Sequence, residues 1–158
     1  GVQSVIESER KKLGRFSDRE LIEKRIIQCK SAGIENISLD VMLGVQEQTQ
    51  KSLSETLDFC IASGAKHISA YMLKIEEGTT YYKKRDSLNL PDDDEVADMY
   101  LAMSERLLSN GFEHYEISNF ARQGYEGKHN LKYWNCEEYL GLGPSAHSFI
   151  DGKRFFYP

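Results

Sequence analysis

No run of apolar residues in this 158-residue chain approaches the roughly 20 that a membrane-spanning helix requires, and no charged-then-apolar leader stands at its first residues. A cytoplasmic location is the expectation. Cysteine is scarce: Cys29, Cys60 and Cys136 are odd in number and far apart, which excludes a disulfide framework and a cysteine-rich metal site. Reduced thiols follow, with Cys29 and Cys60 lying in helical patterns as small buried hydrophobes. An excess of basic residues is also missing. Lys and Arg number 20 against 25 Asp and Glu, for a formal net charge of -5, and a polyanion needs a basic face. Arg10-Lys11-Lys12 and Lys83-Lys84-Arg85 read as solvated faces, so no nucleic-acid partner is expected. An initiator methionine is absent from Gly1-Val2-Gln3-Ser4, and the end, Phe155-Phe156-Tyr157-Pro158, has no polar tail. These ends are the form expected of an internal piece of a longer protein. What remains, 40% hydrophobic and 28% charged, suits one globular core.

The strongest internal pattern is a repeat of 31 residues. Cys29 to Ser38 lines up with Cys60 to Ser69, sharing Cys, Gly and an Ile-Ser pair, and each copy reads as helix, glycine stop, loop, strand. The first unit spans about 17–43. Ser17 with Glu20 forms a capping box; Leu21, Ile22, Ile26, Ile27 and Cys29 mark the apolar face; Gly33 ends the helix before a strand Ile37 to Leu43. The second spans about 49–75, with Leu53, Leu57, Cys60 and Ile61 inward, Gly64 as the stop, and a strand His67 to Ile75. A third helix begins after Pro91 in the acidic run Asp92 to Glu95. It buries Val96, Met99, Tyr100, Met103 and Leu107, so the methionines are core packing. One strand, His114 to Phe120, completes the stretch 91–120, and residues 121–158 read as loop and tail.

Alternating helices and strands predict an α/β fold with parallel strands joined by right-handed crossover helices. Complete eight-unit barrels take about 250 residues. Only three strand-helix units fit here, so a partial (β/α) barrel or an open sheet is expected.

Within that fold, strands covered on both faces should be almost wholly apolar, and Asp40 breaks the rule. It lies toward the carboxyl end of its strand, where ligands gather in α/β folds; the alternative is a carboxylate that fixes the loop Gly44 to Thr49. Gln3, Tyr71 and Lys74 fall at comparable strand ends. A ribose calls for a carboxylate or amide that takes two hydroxyls, and an amino-acid carboxylate calls for an Arg fork. Gln3, Asp40 and Arg15 supply those groups. Further on, His129, Asn130, Tyr133 and Trp134 stand within six residues. Such a cluster has two readings: a site that ligates and stacks on a flat macrocycle, or a loop anchored by Trp134.

Gly1-Val2-Gln3-Ser4, Leu13-Gly14-Arg15, Asn36-Ile37-Ser38-Leu39-Asp40 with Gly44 and Gln48-Thr49, and His67-Ile68-Ser69-Ala70-Tyr71 open an ordered series. His114-Tyr115-Glu116-Ile117-Ser118-Asn119-Phe120-Ala121-Arg122, His129-Asn130 with Tyr133-Trp134, and Tyr139-Leu140-Gly141-Leu142-Gly143-Pro144 with Ala146-His147-Ser148 continue it. In order and spacing the series resembles the oxygen-independent coproporphyrinogen III oxidase-like (HemN/HemW) radical SAM family over essentially the whole chain. The resemblance implies a partial (β/α) barrel of the radical SAM type, with S-adenosylmethionine (SAM) and a [4Fe-4S] cluster as cofactors of the complete protein. Gln3 and Asp40 match the residues that hold the SAM ribose hydroxyls, and Arg15 matches the one that meets its methionine carboxylate. Lys74 and His147 sit where the family makes further contacts with SAM. The family's Cys-x-x-x-Cys-x-x-Cys loop and its glycine-rich SAM segment precede the matched region, so no catalytic residue and no metal ligand is expected here. At Val45, Gln46 and Glu47 the sequence departs from the family's Gly-Leu-Pro-Gly-Gln-Thr loop.

The Tyr115-to-Arg122 run and the His-Asn-x-x-Tyr-Trp pattern look most like the haem-chaperone branch, in which His129, Asn130 and Tyr133 correspond to a haem-binding motif. The implied partners are porphyrin or haem, a haem-accepting protein, and the missing N-terminal half of the barrel. Alternatives are a true coproporphyrinogen III dehydrogenase, which oxidatively decarboxylates propionates, and a non-catalytic α/β binding module. A bare strand edge at Gln3 also predicts self-association.

Overall fold

The computed structural model describes residues 1–157, which form two compact units, the first Gly1–Tyr125 and the second from Glu126 onward. In the first unit the order is α1 (Glu7–Lys12), α2 (Arg19–Ser31), β1 (Ser38–Leu43), α3 (Gln50–Ala62) and β2 (His67–Met72). A short α4 (Thr80–Lys84) and a 3-10 turn (Arg85–Ser87) lead to α5 (Asp93–Ser109), β3 (Glu113–Glu116) and β4 (Asn119–Ala121).

Local chemistry explains where the helices start. Thr49 caps α3 and Asp92 caps α5, each in a reciprocal capping box, with Ser52 and Glu95 respectively as the returning side chain. The cap expected at Ser17 falls one residue later: the Asp18 carboxylate accepts from the Leu21 amide at 2.6 Å. A carboxylate also favours the positive end of the helix dipole. The Ser17 carbonyl is engaged elsewhere, by Arg10 Nε at 2.7 Å. The inward stripe of α2 is narrower than expected. Ile26 is buried, Ile22 and Cys29 are partly so, and Leu21 and Ile27 are exposed.

The first unit's sheet runs in the order β1-β2-β4-β3. β1 and β2 are parallel, from Ser38 opposite His67 to Leu43 opposite Met72, as the β1-α3-β2 crossover predicts. The single strand expected over His114 to Phe120 is instead a hairpin. Chain direction reverses at Ile117-Ser118, neither of which has a positive φ, and a bulge between His114 and Glu116 takes up the irregularity. The Tyr100 hydroxyl donates to the Ile117 carbonyl at 2.7 Å, and His114 stacks on Phe120 at 4.2 Å. Because β4 turns back and pairs antiparallel with β2, β3 keeps the direction of β1 and β2 but stands one place further out.

One face of this sheet is core. Leu39, Val41 and Leu43 of β1, Ile68 and Ala70 of β2, and Phe120 of β4 share a buried cluster with Leu53, Leu57 and Cys60 of α3. Met99, Met103 and Leu107 of α5 complete it, so both methionines are packing residues. Each large apolar side chain buried there contributes about 1.5–3 kcal/mol. Burial pushes the Cys60 thiol up to about 12.

The second unit comprises α6 (Lys128–Trp134) and the hairpin β5 (His147–Ile150) with β6 (Lys153–Phe156). Regular structure thus replaces the loop and tail expected there. The hairpin turns on Asp151-Gly152, both at positive φ (50° and 70°), the geometry that an Asp-Gly pair adopts in a two-residue turn. Tyr139 pairs antiparallel with Phe149. At Gly141 a Cβ would overlap the His147 carbonyl, so only glycine fits. Among the described residues no helix is long and apolar enough to cross a membrane.

Candidate functional site

The second face of the sheet is polar. Ser38, Asp40 and Met42 alternate with the buried residues of β1, so Asp40 does not interrupt an apolar strand: β1 is apolar on one side only. Pairing extends that face sideways, with Asp40 opposite Ser69 and Ser69 opposite Asn119. Asp40 is the third residue of β1 (Ser38–Leu43), in the middle of the strand and not at its carboxyl end, and its side chain is 40% exposed.

Gln3 joins this face from the outside. Its amide donates to the Asp40 carbonyl at 2.7 Å and its carbonyl accepts from the Met42 amide at 3.0 Å. Its φ of 56° is unusual for a residue with a Cβ and is held there by the surrounding structure. A Cβ built on Gly1 would collide with Gln3 Nε2 and Asp40 Oδ2 together, so the two polar heads converge on one spot. Gln3 Oε1 is buried and has no hydrogen-bond partner. At that spot Gln3 presents Nε2, a donor, beside the Asp40 carboxylate, an acceptor for hydroxyls, while the unmatched Gln3 Oε1 is a buried acceptor that lacks a donor.

The segment behind Gln3 is clamped. Thr56 Oγ1 accepts from the Val5 amide at 3.1 Å and lies 3.4 Å from Ser4 Oγ. Arg10, 2% exposed, donates from Nη1 to the Ser4 carbonyl at 2.9 Å and from Nε to the Ser17 carbonyl.

Deeper on the same face, His67 bridges Ser38 Oγ (2.8 Å from Nδ1) and the Tyr115 hydroxyl (2.7 Å from Nε2). Burial holds the imidazole below its ordinary pKa, while the charges of Asp40 and Glu116 pull the other way.

The other SAM candidates are less collected. Arg15 is exposed, on the short connection between α1 and α2. Lys74 is exposed past the end of β2; its ammonium pairs with Glu76 at 2.8 Å, and that hydrogen bond raises its pKa. His147 belongs to the second unit, where it lines a cleft of about 730 Å³ with His129, Tyr133, Cys136, Tyr139, Phe149 and Arg154. In this cleft the Tyr133 hydroxyl and His129 Nε2 lie 2.7 Å apart, and Tyr133 meets Tyr139 edge-on at 4.6 Å. Asn130 does not line the cleft, nor does Trp134, which is exposed. Among the described residues no three His, Cys, Asp or Glu side chains gather as a metal-binding group.

Sequence reasoning missed His67, Ser69 and Asn119. The alternation of His67, Ser69 and Tyr71 with Ile68 and Ala70 is the signal that pointed to a polar face on β2. Asn119 joins that face only through pairing with β2, which no local pattern announces.

No family model matches the chain. In sequence it is 37% identical over 156 residues to Heme chaperone HemW of Bacillus subtilis, covering 98% of this chain and 41% of that protein. It is 39% identical over 160 residues to Heme chaperone HemW of Synechocystis, covering 100% and 39%. It is 34% identical over 149 residues to the mouse protein named radical S-adenosyl methionine domain-containing protein 1, mitochondrial, covering 93% and 34%. The fold matches that of HemN from Escherichia coli, described as coproporphyrinogen III oxidase and a radical SAM enzyme. That match has a TM-score of 0.77 at 20% identity over 96% of this chain and 38% of the other. The fold is therefore that of part of a radical SAM barrel protein. The chain belongs to the oxygen-independent coproporphyrinogen III oxidase-like (HemN/HemW) family, and it spans about two fifths of the length of these bacterial relatives, at 41% and 39%.

Proposed function

We propose that the first unit carries the ribose-binding half of a SAM site and that the complete protein is a haem chaperone. The observation that carries the first part is the convergence of Gln3 and Asp40, with Gln3 Oε1 buried and unmatched. In this reading Asp40 accepts from both ribose hydroxyls and Gln3 completes the pair, while Arg15 turns its fork to the methionine carboxylate. Lys74 offers a backbone or apolar contact, since its ammonium is held by Glu76. SAM beside a reduced [4Fe-4S] cluster supplies radical chemistry; the cluster belongs to the cysteine loop ahead of the matched region. The segment alone, with Cys29, Cys60 and Cys136 placed 31 and 76 residues apart, is inactive in that chemistry. A cytoplasmic location goes with this reading. The test is calorimetry of SAM with the full-length protein and its Asp40→Ala variant; equal affinity in a folded variant leaves Asp40 as a loop anchor.

Haem is the cargo in this reading, and the cleft of the second unit supports it. Names of the bacterial relatives point to haem, and the cleft offers aromatic walls, His129, and Arg154 as a cation for a propionate. With His129 Nε2 bonded to Tyr133, iron ligation falls to Nδ1 or exchanges for that bond. A haem-accepting protein is the implied partner. Soret titration of the full-length protein and its His129→Ala variant decides this. Identical spectra make His129 structural and favour the oxidase alternative, with coproporphyrinogen III as substrate.

A further inference from the structure

Asn119 is 7% exposed, and its Oδ1 has no hydrogen-bond partner. Of the buried polar side-chain atoms left unmatched among the described residues, two are amide oxygens, those of Gln3 and Asn119. Both stand beside the same row. Gln3 is bonded through its backbone to Asp40, Asp40 lies opposite Ser69, and Ser69 lies opposite Asn119. Paired residues of neighbouring strands share a face, and strands stand about 4.8 Å apart, so Asn119 is roughly 10 Å across that face from Asp40. Buried amides in folded proteins are almost always satisfied. A pair that is not, on one open face and flanking one carboxylate, marks where a ligand's donors belong.

The chemistry of that ligand group is restricted. The row Gln3, Asp40, Ser69 and Asn119 contains an acidic group and no cationic side chain; the Gly1 ammonium lies 3.8 Å from Asp40 Oδ2, and Glu116 lies close enough to act on His67 from the same region. An approaching carboxylate would be repelled, whereas an N–H or O–H would be welcomed by the free Oδ1.

We infer that Asn119 is a further ligand-binding residue, accepting from an N–H or O–H group of a molecule that lies across the open sheet face beside the group held by Gln3 and Asp40. The inference deepens the SAM reading above and rests on it. Two molecules carry such donors, SAM itself through its hydroxyls and amines, and a tetrapyrrole through its pyrrole N–H groups.

Asn119→Leu keeps the approximate shape and removes the polarity. In the full-length protein, SAM is titrated by calorimetry and a metal-free porphyrin by its absorbance, each with the melting temperature of the same sample. Affinity is expected to fall about tenfold for one of the two. The melting temperature is expected to hold or rise, because an unmatched buried amide has been removed. Loss for SAM assigns the donor to the cofactor; loss for the porphyrin alone assigns it to the tetrapyrrole. Unchanged affinity for both overturns the inference, and so does a lowered melting temperature with binding intact. Should the leucine variant not fold, Asn119→Ala carries the same readouts. Asp40→Ala run in parallel separates the two readings. If it weakens SAM binding while Asn119→Leu changes neither titration, only the present inference falls. If it leaves SAM binding intact, the ribose reading falls, and with it the inference that rests on it.

Discussion

Leu39, Val41 and Leu43 alternate along β1 with Ser38, Asp40 and Met42, and the two sets meet different surroundings. The first set lies in a dry cluster with α3 and α5; the second opens onto a row of hydroxyls, amides and carboxylates that continues through Ser69 to Asn119. On the helix side Leu39, Val41 and Leu43 are buried in an apolar cluster. On the open side, Gln3 and Asn119 are buried yet unmatched. The contrast teaches that one face secures the fold while the other carries unmatched buried amides, which are destabilising until a partner satisfies them, as the proposed recognition role requires.

The largest effect should come from the helix face. Phe120→Ala removes a fully buried ring and is expected to cost about 3–5 kcal/mol in chemical denaturation. A loss below about 1 kcal/mol, within the range of ordinary surface substitutions, would break the distinction between the faces. On the open face the opposite signature is expected. Asp40→Ala in the full-length protein should lower SAM affinity by one to two decades, about 1.5–3 kcal/mol, while stability moves by less than about 0.5 kcal/mol. Thr56→Val sharpens the boundary between them. It leaves the buried Val5 amide without its acceptor and should destabilise by about 1–3 kcal/mol, read as a shift of the denaturation midpoint at constant slope.

The smallest effect is the pH response of His67. Burial lowers its pKa in the fold, so the unfolded chain takes up the proton first as pH falls. Its contribution is complete above the ordinary histidine pKa and is lost as pH drops through that value toward the lowered one. His67→Gln should flatten the fall in melting temperature between about pH 7 and pH 5. A slope unchanged by the substitution would assign the pH response to other groups.

Much of the helix face was legible in the sequence because its signals are local. Thr49 and the acidic run at Asp92 mark helix starts, and Met99, Met103 and Leu107 recur at helical spacing. Asp40 was legible as an intruder, although the reason differs: β1 is apolar on one side, not on both. Positions set by pairing were hidden. The hairpin at Ile117-Ser118 lacks the glycine or asparagine of a tight turn, so it reads as continuous strand, and Asn119 acquires its place only when β4 folds back against β2. In the second unit Asp151-Gly152 is a turn signal that the tail reading passed over. That turn brings the strands of His147 and Arg154 together, and both residues line a cleft with His129.

Arg10 carries a consequence for engineering. Its guanidinium joins the carbonyls of Ser4 and Ser17, one beside Gln3 and the other beside the connection that bears Arg15. Two residues that the proposed reading assigns to opposite ends of one cofactor are thereby referenced to a single rigid, planar fork. Lysine has a point charge in place of the fork, and it cannot span both carbonyls in a fixed plane. A conservative exchange here would therefore act as a misalignment, loosening the spacing between the two contacts while each contact residue stays intact.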